Sequence, residues 1–137
     1  MLGLTNVSFE QHDAAKVGFK TRFDLITTFD AVHDQAYPDV VLENIHKHLK
    51  DDGTYLMVDI DASSKLEDNM EHPLAPALYS MSVSHCMTVS LAQGGRGLGT
   101  MWGRQQATKM LKEAGFTSTF IKNIEKDIMN AYYISKK

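Results

Sequence analysis

The run Thr54-Tyr-Leu-Met-Val-Asp-Ile60 is apolar at almost every position and has the length of one β-strand. A strand with one face in water alternates apolar and polar residues, so a nearly unbroken run belongs to a strand covered on both faces, as in parallel sheets. The preceding sequence agrees. Phe23-Asp-Leu-Ile-Thr-Thr28 is a second short apolar, β-branched run, and it opens into the loop Phe29-Asp30-Ala31-Val32-His33-Asp34. Between the two runs, Val41, Leu42, Ile45 and Leu49 recur at helical spacing, with Pro38 suited to the first turn and Asp39 to its positive end. Gly53, after Asp51-Asp52, predicts a stop and turn into the strand that ends at Asp59. Strand, helix and strand make a right-handed crossover unit.

Downstream, Ala107, Met110, Leu111 and Ala114 predict a helix that Gly115 caps. Residues 117–122 and 130–135 read as strands whose short charged connection, residues 123–127, permits antiparallel pairing and no crossover helix. Pro73 and Pro76 break the chain before a helix predicted over 78–91. Near the start, Val7 and Phe9 alternate with polar residues, which predicts a strand ending at Asp13. The cluster Gly94-Gly-Arg-Gly-Leu-Gly99 is not a dinucleotide fingerprint, since Gly95-x-Gly97 would need glycine where Thr100 stands. It reads as a flexible loop, either a lid or a plain connection. No repeat or linker divides the chain, so residues 1–137 read as one unit, within which residues 63–103 form a segment that ends in the glycine-rich loop.

Composition narrows the function classes. Lys+Arg 14 against Asp+Glu 17 leaves a net charge of −3, with no basic footprint for nucleic acid or an anionic membrane. One cysteine excludes an internal disulfide framework and suits a reducing, cytoplasmic setting. The least charged stretch, 73–93, is broken by proline, His85 and hydroxyl residues, so no membrane span is expected, nor is a secretory leader.

The order of these elements, with Phe23-Asp-Leu-Ile26, the His33-Asp34 pair, Leu49-Lys-Asp-Asp-Gly53 and Met110-Leu-Lys-Glu-Ala-Gly-Phe116, resembles the second half of class I S-adenosylmethionine-dependent methyltransferases. The resemblance covers roughly residues 5 to 137. It implies an incomplete Rossmann-like α/β fold: a mostly parallel sheet, an antiparallel C-terminal strand and helices on both faces. The chain departs from the family where a strand and glycine-rich turn, then an acidic residue for the ribose, would precede Val7. A sheet edge left open in this way implies a homodimer or a partner chain covering it.

The resemblance also implies roles. Asp13, with Ala14, matches the carboxylate position for the adenine amine, although Asp13 caps a helix equally well. Thr28, Phe29 and Asp30 would lie against the sulfonium end of the cofactor, S-adenosylmethionine; a solvated turn is the alternative for Asp30. His33 resembles the base of small-molecule O-methyltransferases, with Asp59 orienting it, and equally resembles a residue that only lines the cofactor pocket. Tyr79, His85, Met87 and Trp102 fall where this fold builds its substrate-recognition segment. No metal site is expected, since His72, His85 and Cys86 lack ligand spacing. His46 and His48 are expected in solvent, and Met81, Met87 and Met110 in packing. The functional expectation is methyl transfer to a small molecule within a complete methyltransferase. The alternatives are a catalytically silent interaction module and another doubly wound domain of flavodoxin type.

Overall fold

The computed structural model describes residues 3–137. Its elements are β1 (Phe23–Phe29), α1 (Pro38–His48), β2 (Leu49–Ile60), α2 (Ala75–Met81), α3 (Met87–Ala92), α4 (Gly103–Glu113), β3 (Ser118–Lys122) and β4 (Asn130–Lys136). A five-residue π turn, Ser82–Cys86, joins α2 to α3, so the predicted helix is continuous but carries one wide turn.

The sheet order is β1-β2-β4-β3. β1 and β2 pair in parallel, and β4 pairs antiparallel with both β2 and β3. Three strands therefore run one way and only the last runs against them. The expected α/β sheet with a reversed C-terminal strand is what forms. Register locates the apolar run: Tyr55, Met57 and Asp59 point to one face, and Leu56, Val58 and Ile60 to the other. On the first face Tyr55, Met57 and Tyr133 pack with Leu42 of α1 and Met110 and Leu111 of α4 in the main core. α2 meets the second face only at Ile60, through Ala75 and Leu78. On its edge strands that face is open: Leu25 is 57% exposed, Phe29 64% and Phe120 64%.

Three expectations need correction. No strand forms at Val7 to Asp13: the segment has no ladder partner, and Phe9 is 94% exposed. Side chains of α1 anchor the chain further along, at Ala14, Val17 and Phe19. Asn44 donates to the carbonyls of Ala14 and Val17, and His48 Nε2 accepts from the Phe19 amide. His48 is therefore buried, its Nδ1 bonded to the Asn44 carbonyl, and His46 packs edge-on against Phe116; neither is a solvated surface histidine. Asp51-Asp52-Gly53 is not a turn before β2 but part of a bulge within it, the four residues Lys50 to Gly53 opposing Asp24 alone between the pairs Phe23–Leu49 and Leu25–Thr54.

The glycine loop is tied down rather than free. The Arg96 amide donates to the Ala36 carbonyl, the Gly97 amide to Ser90 Oγ, and the Arg96 guanidinium pairs with Asp39. A Cβ on Gly95 would lie 2.5 Å from Ala36 Cα, so glycine serves close approach here. Gly103 does the same at the start of α4, where φ is +77° and a Cβ would stand 2.2 Å from the Ser64 amide nitrogen. No helix among the described residues is long and apolar enough to cross a membrane.

Candidate active site

In an open α/β sheet the chain leaves each strand at its carboxyl end and crosses to the next, which leaves a crevice there for ligands. β1 leaves the sheet through Asp30, whose φ of +49° is a left-handed conformation that Asp tolerates; its amide donates to the Val58 carbonyl. The turn buries Val32, and this brings His33 over the end of β2.

There His33, 2% exposed, is 2.8 Å through Nδ1 from Asp59 Oδ1. Asp59 is fully buried, and the same oxygen accepts from Trp102 Nε1 at 3.0 Å and from the Ile60 amide at 2.9 Å. Three donors on one carboxylate oxygen fix the ring by packing and bonding together. With Nδ1–H committed to Asp59, the neutral ring keeps its lone pair on Nε2. Asp34 Oδ1 lies 3.2 Å from Nε2, and Asp30 Oδ1 3.8 Å from Nδ1. Burial pulls the His33 pKa down, but the Asp59 hydrogen bond and the charges of Asp59, Asp34 and Asp30 outweigh it and hold it above the ordinary 6.5. Burial pushes Asp30 up.

The imidazole opens on a cavity of about 380 Å³ whose other walls include Ile60, Leu78, Met81, Cys86 and Met129. A mostly apolar space with a few convergent polar groups can hold a small organic molecule and present one of its polar atoms to His33. A second hollow, of about 530 Å³, lies between Asp13-Ala14, Gln35-Ala36-Tyr37 and Gln93, its Gln35 wall following Asp34 of the first cavity in the chain.

Of the residues singled out in the sequence, His33, Asp59, Asp30 and His85 converge on the first cavity or its support. Asp13 and Ala14 line the second hollow; there Asp13 accepts from the Ala15 amide and pairs with Lys16, which holds its carboxyl below the usual range. Thr28 points away, bonding Tyr55 at 2.7 Å, and Phe29 sits on the open sheet face. Tyr79 and Met87 are not among the cavity walls: the Tyr79 hydroxyl accepts from Asn69, and Met87 packs against Gly99. Trp102 is buried with its N–H on Asp59, so it supports the histidine. Sequence reasoning names Asp34 with His33 but assigns it no role, and it misses Met129 as a wall and Gln35 to Tyr37 and Gln93 around the second hollow. Met129 and Gln93 lie far along the chain from the residues they face, which leaves no local signal for them.

The family described as methyltransferase domain matches residues 1–115. No curated protein matches the chain. Among solved structures the chain is similar to human N-acetylserotonin methyltransferase in complex with SAM, at 20% identity and a TM-score of 0.64, over 96% of this chain and 36% of that one. It is also similar to PigF with SAH, at 18% identity and a TM-score of 0.65, over 91% and 34% of the two chains. An O-methyltransferase family protein from Burkholderia thailandensis is similar at 15% identity and a TM-score of 0.62, over 94% and 35%. The chain thus spans about a third of the length of the solved structures it matches.

Proposed function

Because the chain belongs to the methyltransferase domain family, we propose that it is part of an enzyme that transfers a methyl group from S-adenosylmethionine to a small-molecule acceptor, with His33 as the base. The observation that carries the proposal is the buried His33–Asp59 pair opening on a cavity of small-molecule size. The second hollow fits the adenosyl end of the cofactor. The hollow of about 530 Å³ has Asp13 and Ala14 on one wall and the backbone of residues 35–37 on another, and Asp30 lies at the cavity end of β1. Bound there, S-adenosylmethionine supplies an electrophilic sulfonium methyl.

The residues of this chain orient the acceptor and move one proton. The apolar walls exclude water and hold the acceptor's body, which brings its hydroxyl within reach of His33 Nε2. Nε2 takes the hydroxyl proton as the oxygen becomes nucleophilic. The resulting imidazolium keeps Nδ1–H on Asp59 and gains Nε2–H toward Asp34, so the carboxylates that raise the His33 pKa also stabilise the product of proton transfer. Trp102 and Asp59 are positioning residues in this scheme. The buried Cys86 thiol suits a reducing, cytoplasmic compartment.

A second reading, a catalytically silent interaction module, is supported by the open sheet face at Leu25, Phe29 and Phe120. Calorimetric titration of the chain with S-adenosylhomocysteine separates the two. Saturable binding, weakened about tenfold by Asp13→Ala and left in place by His33→Ala, is expected for the enzyme; a tenfold loss is about 1.4 kcal/mol, one hydrogen bond. Absence of any heat of binding would move the interaction module to the front.

A further inference from the structure

We propose that His33 Nε2, Asp34 Oδ1 and Cys86 Sγ form a binding site for one zinc-class divalent ion in the wall of the cavity. The three donor atoms lie within 4.8 Å of one another, brought together from the loop after β1 and from the π turn before α3. A tetrahedral ion with bonds of about 2.0–2.3 Å holds neighbouring donors roughly 3.2–3.7 Å apart. The His33 Nε2–Asp34 Oδ1 separation is already 3.2 Å.

The electron count at that contact points to a cation. With Nδ1–H donated to Asp59, Nε2 carries a lone pair and faces the buried Asp34 Oδ1; the Cys86 thiol, pushed up by burial and by its hydrogen bond to Asp34, stands beside the same carboxylate. Two acceptors at this distance repel unless a cation lies between them, either a proton on the ring or a metal ion. The thiol favours the metal. A proton needs only the imidazole and a carboxylate, whereas a mixed nitrogen, oxygen and sulfur set suits zinc and its neighbours in the first transition row. Support around the donors is also of the kind metal sites use. Asp59 holds the histidine by its far nitrogen, in the carboxylate–histidine–metal arrangement, and Thr100 Oγ1 donates to Cys86 Sγ at 3.0 Å. Asp30 and Asp59 add negative charge nearby. On binding, Sγ forms its bond to the ion and its proton leaves to solvent, while the fourth position stays open toward the cavity.

The metal site stands on this geometry and does not depend on the methyl-transfer reading. Where both hold, the ion occupies the Nε2 lone pair that proton abstraction requires, so ion and base exclude one another at His33.

Cobalt(II) is the probe, because a cobalt–thiolate bond absorbs in the near ultraviolet and Cys86 is the only cysteine of the chain. Titration of the chain should give one cobalt with that band, and zinc should displace it. The band should vanish in Cys86→Ser, Asp34→Asn should weaken cobalt binding at least tenfold, and His85→Ala should retain the band. Circular dichroism of each variant checks folding, and the half-exposed Asp34→Asn remains informative should Cys86→Ser fail to fold. No band at millimolar cobalt, or wild-type affinity in Asp34→Asn, overturns the site. Absence of the band from the wild-type chain beside intact binding of S-adenosylhomocysteine would sink the metal site alone, and a wild-type band without S-adenosylhomocysteine binding would leave it standing.

Discussion

Carboxylates crowd both nitrogens of His33, and this sets a testable dependence on pH. Its folded pKa lies above the ordinary 6.5, so its contribution to stability is fully present below pH 6.5 and is lost as pH rises through the folded value. The melting temperature should therefore fall over that interval, and His33→Gln should flatten the slope. Transfer to a hydroxyl acceptor needs the neutral ring, so its rate should rise with pH across the same interval. Asp59→Asn removes the carboxylate whose hydrogen bond to Nδ1 raises that pKa. An NMR titration of His33 should move to lower pH, with about 1.5–3 kcal/mol of stability lost with a charge-assisted hydrogen bond. His33 and Asp59 are legible because each ends or follows a strand that the sequence marks. Trp102 reads as a substrate contact in the sequence because its true partner, Asp59, lies 43 residues away. No periodicity announces a bond of that separation.

Among the elements, β1, α1, α4 and the β3–β4 hairpin form where apolar spacing predicts them; α1, α4 and β4 bury the face the pattern shows, whereas β1, expected as a buried strand, and β3 reach the core only through the partly buried Ile26 and Ile121. The failures have a common cause. A strand at Val7 to Asp13 needs a neighbour to complete its backbone bonds, and alternation alone supplies none. A glycine cluster suggests freedom, yet Gly95 and Gly103 are places where two backbones touch. Gly103→Ala tests this. At φ +77°, with 2.2 Å to the Ser64 nitrogen, a methyl forces α4 off residues 63–64, and chemical denaturation should show a loss of about 3 kcal/mol or more.

For the whole molecule, the main imbalance lies between its two faces. α1 and α4 bury one side of the sheet, while Leu25 and Phe29 of β1 and Phe120 of β3 stand on the other, and the outer edge of β1 pairs with nothing among the described residues. Apolar surface of this kind associates. Light scattering after gel filtration should find the chain larger than 15.3 kDa, and Leu25→Lys with Phe120→Lys should return it toward that mass. A wild-type chain eluting as a monodisperse monomer would show that the face is tolerated in water. The reversed strand has a practical consequence for binding experiments on this chain. β4 pairs Asn130 with Ile60 and Lys136 with Thr54, so the carboxyl terminus emerges at the rim opposite His33, roughly 15–20 Å away along the sheet. A biotin or fluorophore attached after Lys137 would anchor the molecule to a sensor surface with its cavity facing the flow.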